Sequence, residues 1–167
     1  MERSVIVSQI RAALTMLRAA IEACPDSLWN RGSDDNRFWV LAYHALFFAH
    51  LYLFPSEKAF EPWPVRIEGR PEMGRDHLGD WTKLRPEDLY AKSDVLAYCT
   101  HVEGLVADRV ASTPFDQPVD FSWIRPPCTQ LELHLYNLRH IQHHAGQLSE
   151  RLRQATGSGI DWVKTAR

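Results

Sequence analysis

The chain has 167 residues, of which 45% are hydrophobic and 24% charged, with a formal net charge of −2. That length suits a single domain over 1–167 with a real core, and the mixed charge excludes the basic stripe of a nucleic-acid binder. The longest apolar run, Phe38 to Phe54, is broken by His44 and His50 and falls short of the roughly 20 residues of a membrane span. With no secretory signal pattern at the N-terminus and Cys24, Cys99 and Cys128 scattered without a CxxC pair or disulfide framework, a reducing cytoplasm is the expected compartment.

Hydrophobic periodicity predicts four helices. The first covers about Arg3 to Cys24, with Ile10, Leu14, Leu17, Ile21 and Cys24 on one stripe and Pro25-Asp26 as its stop. The second covers about Asn36 to Phe54, capped by Asp34 or Asp35 and ended by Pro55. It is apolar on most of its circumference and is expected to be largely buried. The third covers about Asp94 to Ala111, with Ser93 as N-cap and Leu96, Cys99, Val102, Val106 and Val110 inward. The fourth starts at Thr129, which forms a capping box with Glu132, and runs to about Ala155, with Gly157 as a C-terminal stop.

Long connections separate helices 2 and 3 (Pro55 to Lys92) and helices 3 and 4 (Thr113 to Cys128). No alternating strand pattern, repeat or low-complexity tract interrupts this order. The expected fold is all-α, a four-helix bundle. A connection as long as the first of the two often borders a site, and the tail Ile160-Asp161-Trp162-Val163 is apolar enough to pack back on the helices.

The chemistry concentrates in Arg139-His140-Ile141-Gln142-His143-His144-Ala145-Gly146-Gln147. Positions four apart stack on one helix face, so His140 and His144 form a two-imidazole clamp suited to a transition metal. At about 100° per residue, Asn137 and Gln147 share that face, as neighbours able to orient ligands, while His143 points aside. The plain alternative is a hydrogen-bonded or solvated polar face. Burying two unpaired imidazoles and two amides together is costly, and Leu131, Leu135, Leu138, Ile141 and Leu148 already supply this helix with an apolar side. In the second helix, His44 is the candidate third ligand, against the alternative of a core histidine bonded to a carbonyl or a tyrosine. His50 lies about 120° around the helix from His44, so the two cannot face one point.

These stretches resemble the DinB superfamily. The resemblance rests on Trp39 to His44 followed by Tyr52-Leu53, and on His140 to Gln147 with its flanks Tyr136-Asn137-Leu138-Arg139 and Leu152-Arg153-Gln154. The early helix ending in Cys24-Pro25-Asp26 and the terminal Asp161-Trp162-Val163 extend it over almost the whole chain. It implies a four-helix protein that binds a divalent metal, zinc or nickel foremost, through His44, His140 and His144. It also implies activation of a low-molecular-weight thiol such as bacillithiol, mycothiol or glutathione for transfer to a small electrophile, and homodimers.

Three imidazoles leave a metal with an open position, the arrangement of a catalytic rather than a structural site. A metal-dependent hydrolase is the alternative, weakened because the motif region supplies no inward carboxylate to act as base. A non-catalytic regulatory module is the third reading. Tyr98, His101 and Glu103 on the third helix are weighed as polar contacts of a pocket against ordinary surface or interhelix roles. Trp63 and Trp123 are weighed as pocket borders, and the three cysteines are expected to be packing residues.

Overall fold

The apolar stripe of the N-terminal segment folds into α1, Glu2–Ala23, and buries Ile6, Ile10, Leu14, Leu17 and Ile21. The computed structural model describes residues 2–32, 37–65 and 89–166. The proposed caps Asp34 and Asp35, and most of the connection from Pro55 to Lys92, lie outside the described residues. Within them the chain is all-helical. A single turn of helix, α2 (Asp26–Trp29), follows α1, and α3 spans Phe38–Leu51. A short 3-10 turn covers Glu57–Ala59. Two long helices complete the order, α4 (Lys92–Ser112) and α5 (Gln130–Thr156).

The packing follows from where the apolar residues fall. α1 and α3 each pack against both α4 and α5, and they touch one another only marginally. α3 is apolar on nearly every side and buries Phe38, Trp39, Val40, Tyr43, Leu46, Phe47 and Leu51. α1 is long and apolar enough to cross a membrane by length and composition, and half of that window is buried against the rest of the fold. One expected core position of α5 is corrected: Leu135 is 45% exposed. It lies nearly opposite the fully buried Asn137, two steps of about 100° away, so it faces outward with Tyr136.

The helix ends show which local signals prevail. Thr129 Oγ1 accepts the Glu132 N–H at 3.2 Å and Glu132 Oε2 accepts the Thr129 N–H at 2.8 Å, the capping box expected there. Gly157 stops α5 in the left-handed region at φ 84°. Ser93 is not the cap of α4. The helix begins two residues earlier, with Asp94 Oδ2 accepting the Ala91 N–H at 3.1 Å, while Lys92 Nζ reaches the Cys24 carbonyl and Asp26. The carboxylate three residues in supplies what Ser93 was expected to supply. The tail packs back as anticipated: Gln9 Nε2 donates to the Lys164 carbonyl at 3.1 Å, and Ile160 and Val163 pack against the core. Trp162, by contrast, is 69% exposed.

The capping box supports a modest prediction. Thr129→Ala is expected to lower stability by about 1 kcal/mol, read as a shift in urea midpoint without change in slope. An unchanged midpoint would mean that Glu132 alone secures the helix start.

Candidate metal centre

The register of α5 and the buried position of α3 bring three imidazoles to one point. His140 Nε2 lies 3.1 Å from His144 Nε2 and 3.3 Å from His44 Nε2. One nitrogen from each of His44, His140 and His144 falls within 4.8 Å of the others. His140 and His144 come from successive turns of α5, and His44 from the side of α3 that faces it. His144 meets both other rings edge to face and His44 is tilted against His140, with centroids 4.5 to 5.3 Å apart.

The protonation of these rings suits metal binding. Burial, then the neighbouring His144, His44 and His143, pushes the pKa of His140 down to about 3. Burial also lowers that of His144, although its bond to Gln147 opposes the shift. His144 Nδ1 donates to Gln147 Oε1 at 2.7 Å. The amide oxygen is an acceptor only, so the proton sits on Nδ1 and the Nε2 lone pair is left for a ligand bond. His140 Nδ1 is buried with no hydrogen-bond partner among the described residues.

The donor set fits a divalent transition metal. Nitrogen ligands about 2.0–2.1 Å from a tetrahedral ion stand about 3.3–3.4 Å from one another. The His140–His144 and His140–His44 separations, 3.1 and 3.3 Å, are close to that value. Neutral imidazoles held with their nitrogens converging carry an electrostatic penalty that a cation relieves. Zinc, nickel, iron and copper all accept three imidazoles. Among the described residues no carboxylate or thiolate joins this group.

The other polar residues weighed from the sequence lie elsewhere. Asn137 is fully buried and donates from Nδ2 to the Ala49 carbonyl at 3.0 Å, tying α5 to α3 rather than touching a ligand ring. His143 is exposed and, among the described residues, its ring meets the flank of His144. His50 is fully buried on the α4 side of α3, with Nδ1 3.1 Å from the Tyr98 hydroxyl. Tyr98 also stacks on the buried Trp63 at 4.7 Å, and Glu103 pairs with Arg18 at 2.8 Å. His101 lies against His50. Tyr98, His101 and Trp63 thus gather with His50 on one side of α4, while Glu103 faces Arg18 of α1.

Cys24 and Cys99 are buried, and burial raises both thiols, Cys24 to about 11. Neither is a thiolate near neutral pH.

The immediate surroundings of the site are aromatic. The Phe48 ring packs 4.8 Å from His44 and edge to face 5.3 Å from His140, with Tyr52 and Tyr136 at 6.4 and 6.5 Å from His140. A usable sequence signal existed: Phe48 is four residues after His44, Tyr52 four after Phe48, and Tyr136 four before His140. Outside this shell lies a depression of about 530 Å³ lined by Tyr136, Arg139, His140, Gln142 and His143. A second cavity of about 520 Å³ shares Tyr136 and Arg139 with it and continues to Tyr52, Trp123, Arg125, Cys128 and Glu132. Of the two tryptophans weighed as pocket borders, Trp123 lines a cavity beside the histidines. Comparisons of the chain with family models, with curated proteins and with solved structures gave no match.

Proposed function

We propose that the chain is a DinB-like four-helix bundle in which His44, His140 and His144 hold one divalent metal, zinc or nickel foremost. In this reading it is a thiol transferase that joins a low-molecular-weight thiol of the bacillithiol, mycothiol or glutathione type to a small electrophile. The observation that carries it is the convergence of three imidazole nitrogens on one point, with no further protein ligand beside them among the described residues. A divalent cation held there supplies positive charge that lowers the pKa of a thiol or water at its open position.

The chain's own residues supply orientation and shelter. Gln147 fixes the tautomer of His144. Phe48 packs on two of the three rings and limits the access of water to them. Asn137 bonds the Ala49 carbonyl, so the two helices that carry the histidines keep their spacing. The thiol reading is favoured over hydrolysis because, among the described residues, no carboxylate joins the group to serve as a base for water. A homodimeric, cytoplasmic protein with a small-molecule substrate, and with neither nucleic acid nor membrane as partner, completes the proposal.

The test is reconstitution of metal-stripped protein with zinc or nickel, followed by assay of thiol consumption with each of the three thiols and an aromatic electrophile. The proposal expects consumption that requires both metal and thiol and is lost in His44→Ala. Metal-dependent ester cleavage without any thiol would establish the hydrolase instead. Stoichiometric metal with neither activity would favour a regulatory module.

A further inference from the structure

The two cavities beside the histidines form one surface groove along the outer side of α5, because both are lined by Tyr136 and Arg139. Its walls combine two features. The first is aromatic surface left open to solvent. Trp123 is 48% and Tyr136 46% exposed; Trp123 packs on the buried Phe121 and Tyr136 on the buried Tyr52, each pair with ring centroids 5.4 Å apart. Large aromatic side chains are ordinarily covered, and here two are left open at a concave place.

The second feature is an imbalance of charge. Among the described residues, Arg125 and Arg139 face a single carboxylate, Glu132. That carboxylate is already engaged, because Glu132 Oε2 accepts both the Thr129 N–H at 2.8 Å and the Thr129 hydroxyl at 3.0 Å. Arg125 spends Nη1 on the Phe121 and Ile124 carbonyls. The guanidinium of Arg139 has no hydrogen bond or ion pair among the described residues. It stands one residue before His140, within the stretch of groove that reaches the histidines.

We infer that this groove is the binding site for a small organic anion with a planar aromatic or unsaturated body, whose carboxylate or similar group pairs with Arg139 while its body lies on Tyr136 and Trp123. Each cavity, at about 520 and 530 Å³, falls within the usual range of roughly 300–1,000 Å³ for small-molecule sites. A guanidinium offers a carboxylate two parallel donors and fixes its orientation as well as its place. Exposed aromatic faces accept planar bodies without demanding one substituent pattern. The inference rests on the proposed function and deepens it. The anion is the electrophile of that reaction, and its reactive end reaches the histidines from the Arg139 side.

The experiment measures binding of 4-phenylbutanoate and of its neutral amide to the zinc-loaded protein and to the metal-stripped protein, by calorimetry. The carboxylate is expected to bind about fivefold to tenfold more tightly than the amide, the range of a partly exposed charge-assisted pair. Arg139→Gln is expected to abolish that preference while leaving amide binding unchanged. Tyr136→Ala is expected to weaken both probes alike. Both changes are on exposed positions and leave the core untouched.

A preference that survives Arg139→Gln but disappears in His44→Ala would put the carboxylate on the metal and overturn the inference. Equal binding of the two probes, or none, would overturn it too, while measured metal content would leave the metal centre standing. A preference carried by Arg139 in protein that takes up no metal would uphold the groove and refute the metal-centre reading.

Discussion

Replacing His140 or His144 with alanine is expected to abolish stoichiometric metal. Each supplies an Nε2 within 3.1 to 3.3 Å of a neighbouring Nε2. Two remaining imidazoles make a weak, open site, and the loss should exceed the roughly 10- to 100-fold that removal of an outer hydrogen-bonding partner costs. Gln147→Ala provides that milder case. It frees the His144 Nδ1 proton from its 2.7 Å bond, so affinity is expected to fall about tenfold with stoichiometry retained at excess metal. His143→Ala and His50→Ala are expected to keep full metal content, since one ring is exposed outside the cluster and the other is committed to Tyr98. The measurement is metal per chain after dialysis of untagged protein against excess zinc or nickel, with affinity from competition against a coloured chelator. Retention of one metal per chain in both His140→Ala and His144→Ala would refute the ligand assignment.

The all-helical fold was legible because the chain's strongest signals are local. The stripe from Ile10 to Ile21, the Thr129–Glu132 box and Gly157 each act within a turn or two, and each appears where the sequence places it. Boundaries failed where a neighbour supplied the missing group. Ser93 yields to Asp94 because a carboxylate three residues in satisfies the Ala91 N–H. Pro25-Asp26 reads as a stop, yet proline fixes a backbone angle that suits the position before a helix and aspartate favours a first turn. The result is the extra turn α2.

The juxtaposition of His140 and His144 follows from spacing alone. Their meeting with His44 depends on how α3 and α5 pack, a contact across 96 residues that periodicity does not encode. Asn137 shows the same limit. Its place on the histidine face was legible, but its bond to the Ala49 carbonyl arises only once α3 lies against that face. Trp63, in a segment read as loop, is buried because Tyr98 offers it a ring to stack on.

Acid sensitivity is the other large effect expected, and it comes from histidines outside the metal centre. Burial pushes His50 down to about 3, with His101 and Arg109 on α4 adding to the shift. Burial pushes His134 down to about 4, with Arg3 on α1 adding to it. Around His50 stand the Tyr98 hydroxyl, His101 and the rings of Phe54 and Phe60. Around His134 stands the ring of Phe115, on which Arg3 rests. None of these neighbours is an anion able to stabilise a buried imidazolium. The folded pKa values lie below the unfolded value of about 6.5, so the unfolded chain takes up these protons first as pH falls. Stability from these two groups is therefore complete above about pH 6.5 and declines as pH falls toward their folded pKa values. By pH 5 the loss is about 3–4 kcal/mol for the pair, a large share of a domain's usual stability of roughly 5–15 kcal/mol. Urea unfolding of metal-stripped protein at pH 7.5 and pH 5, for wild type and for the double variant His50→Gln with His134→Gln, separates this effect from that of the clustered ligands. The variant is expected to start less stable and to lose about 3–4 kcal/mol less on acidification. Equal losses in the two proteins would show that both histidines are protonated within the fold, with the charge reaching water or a carboxylate.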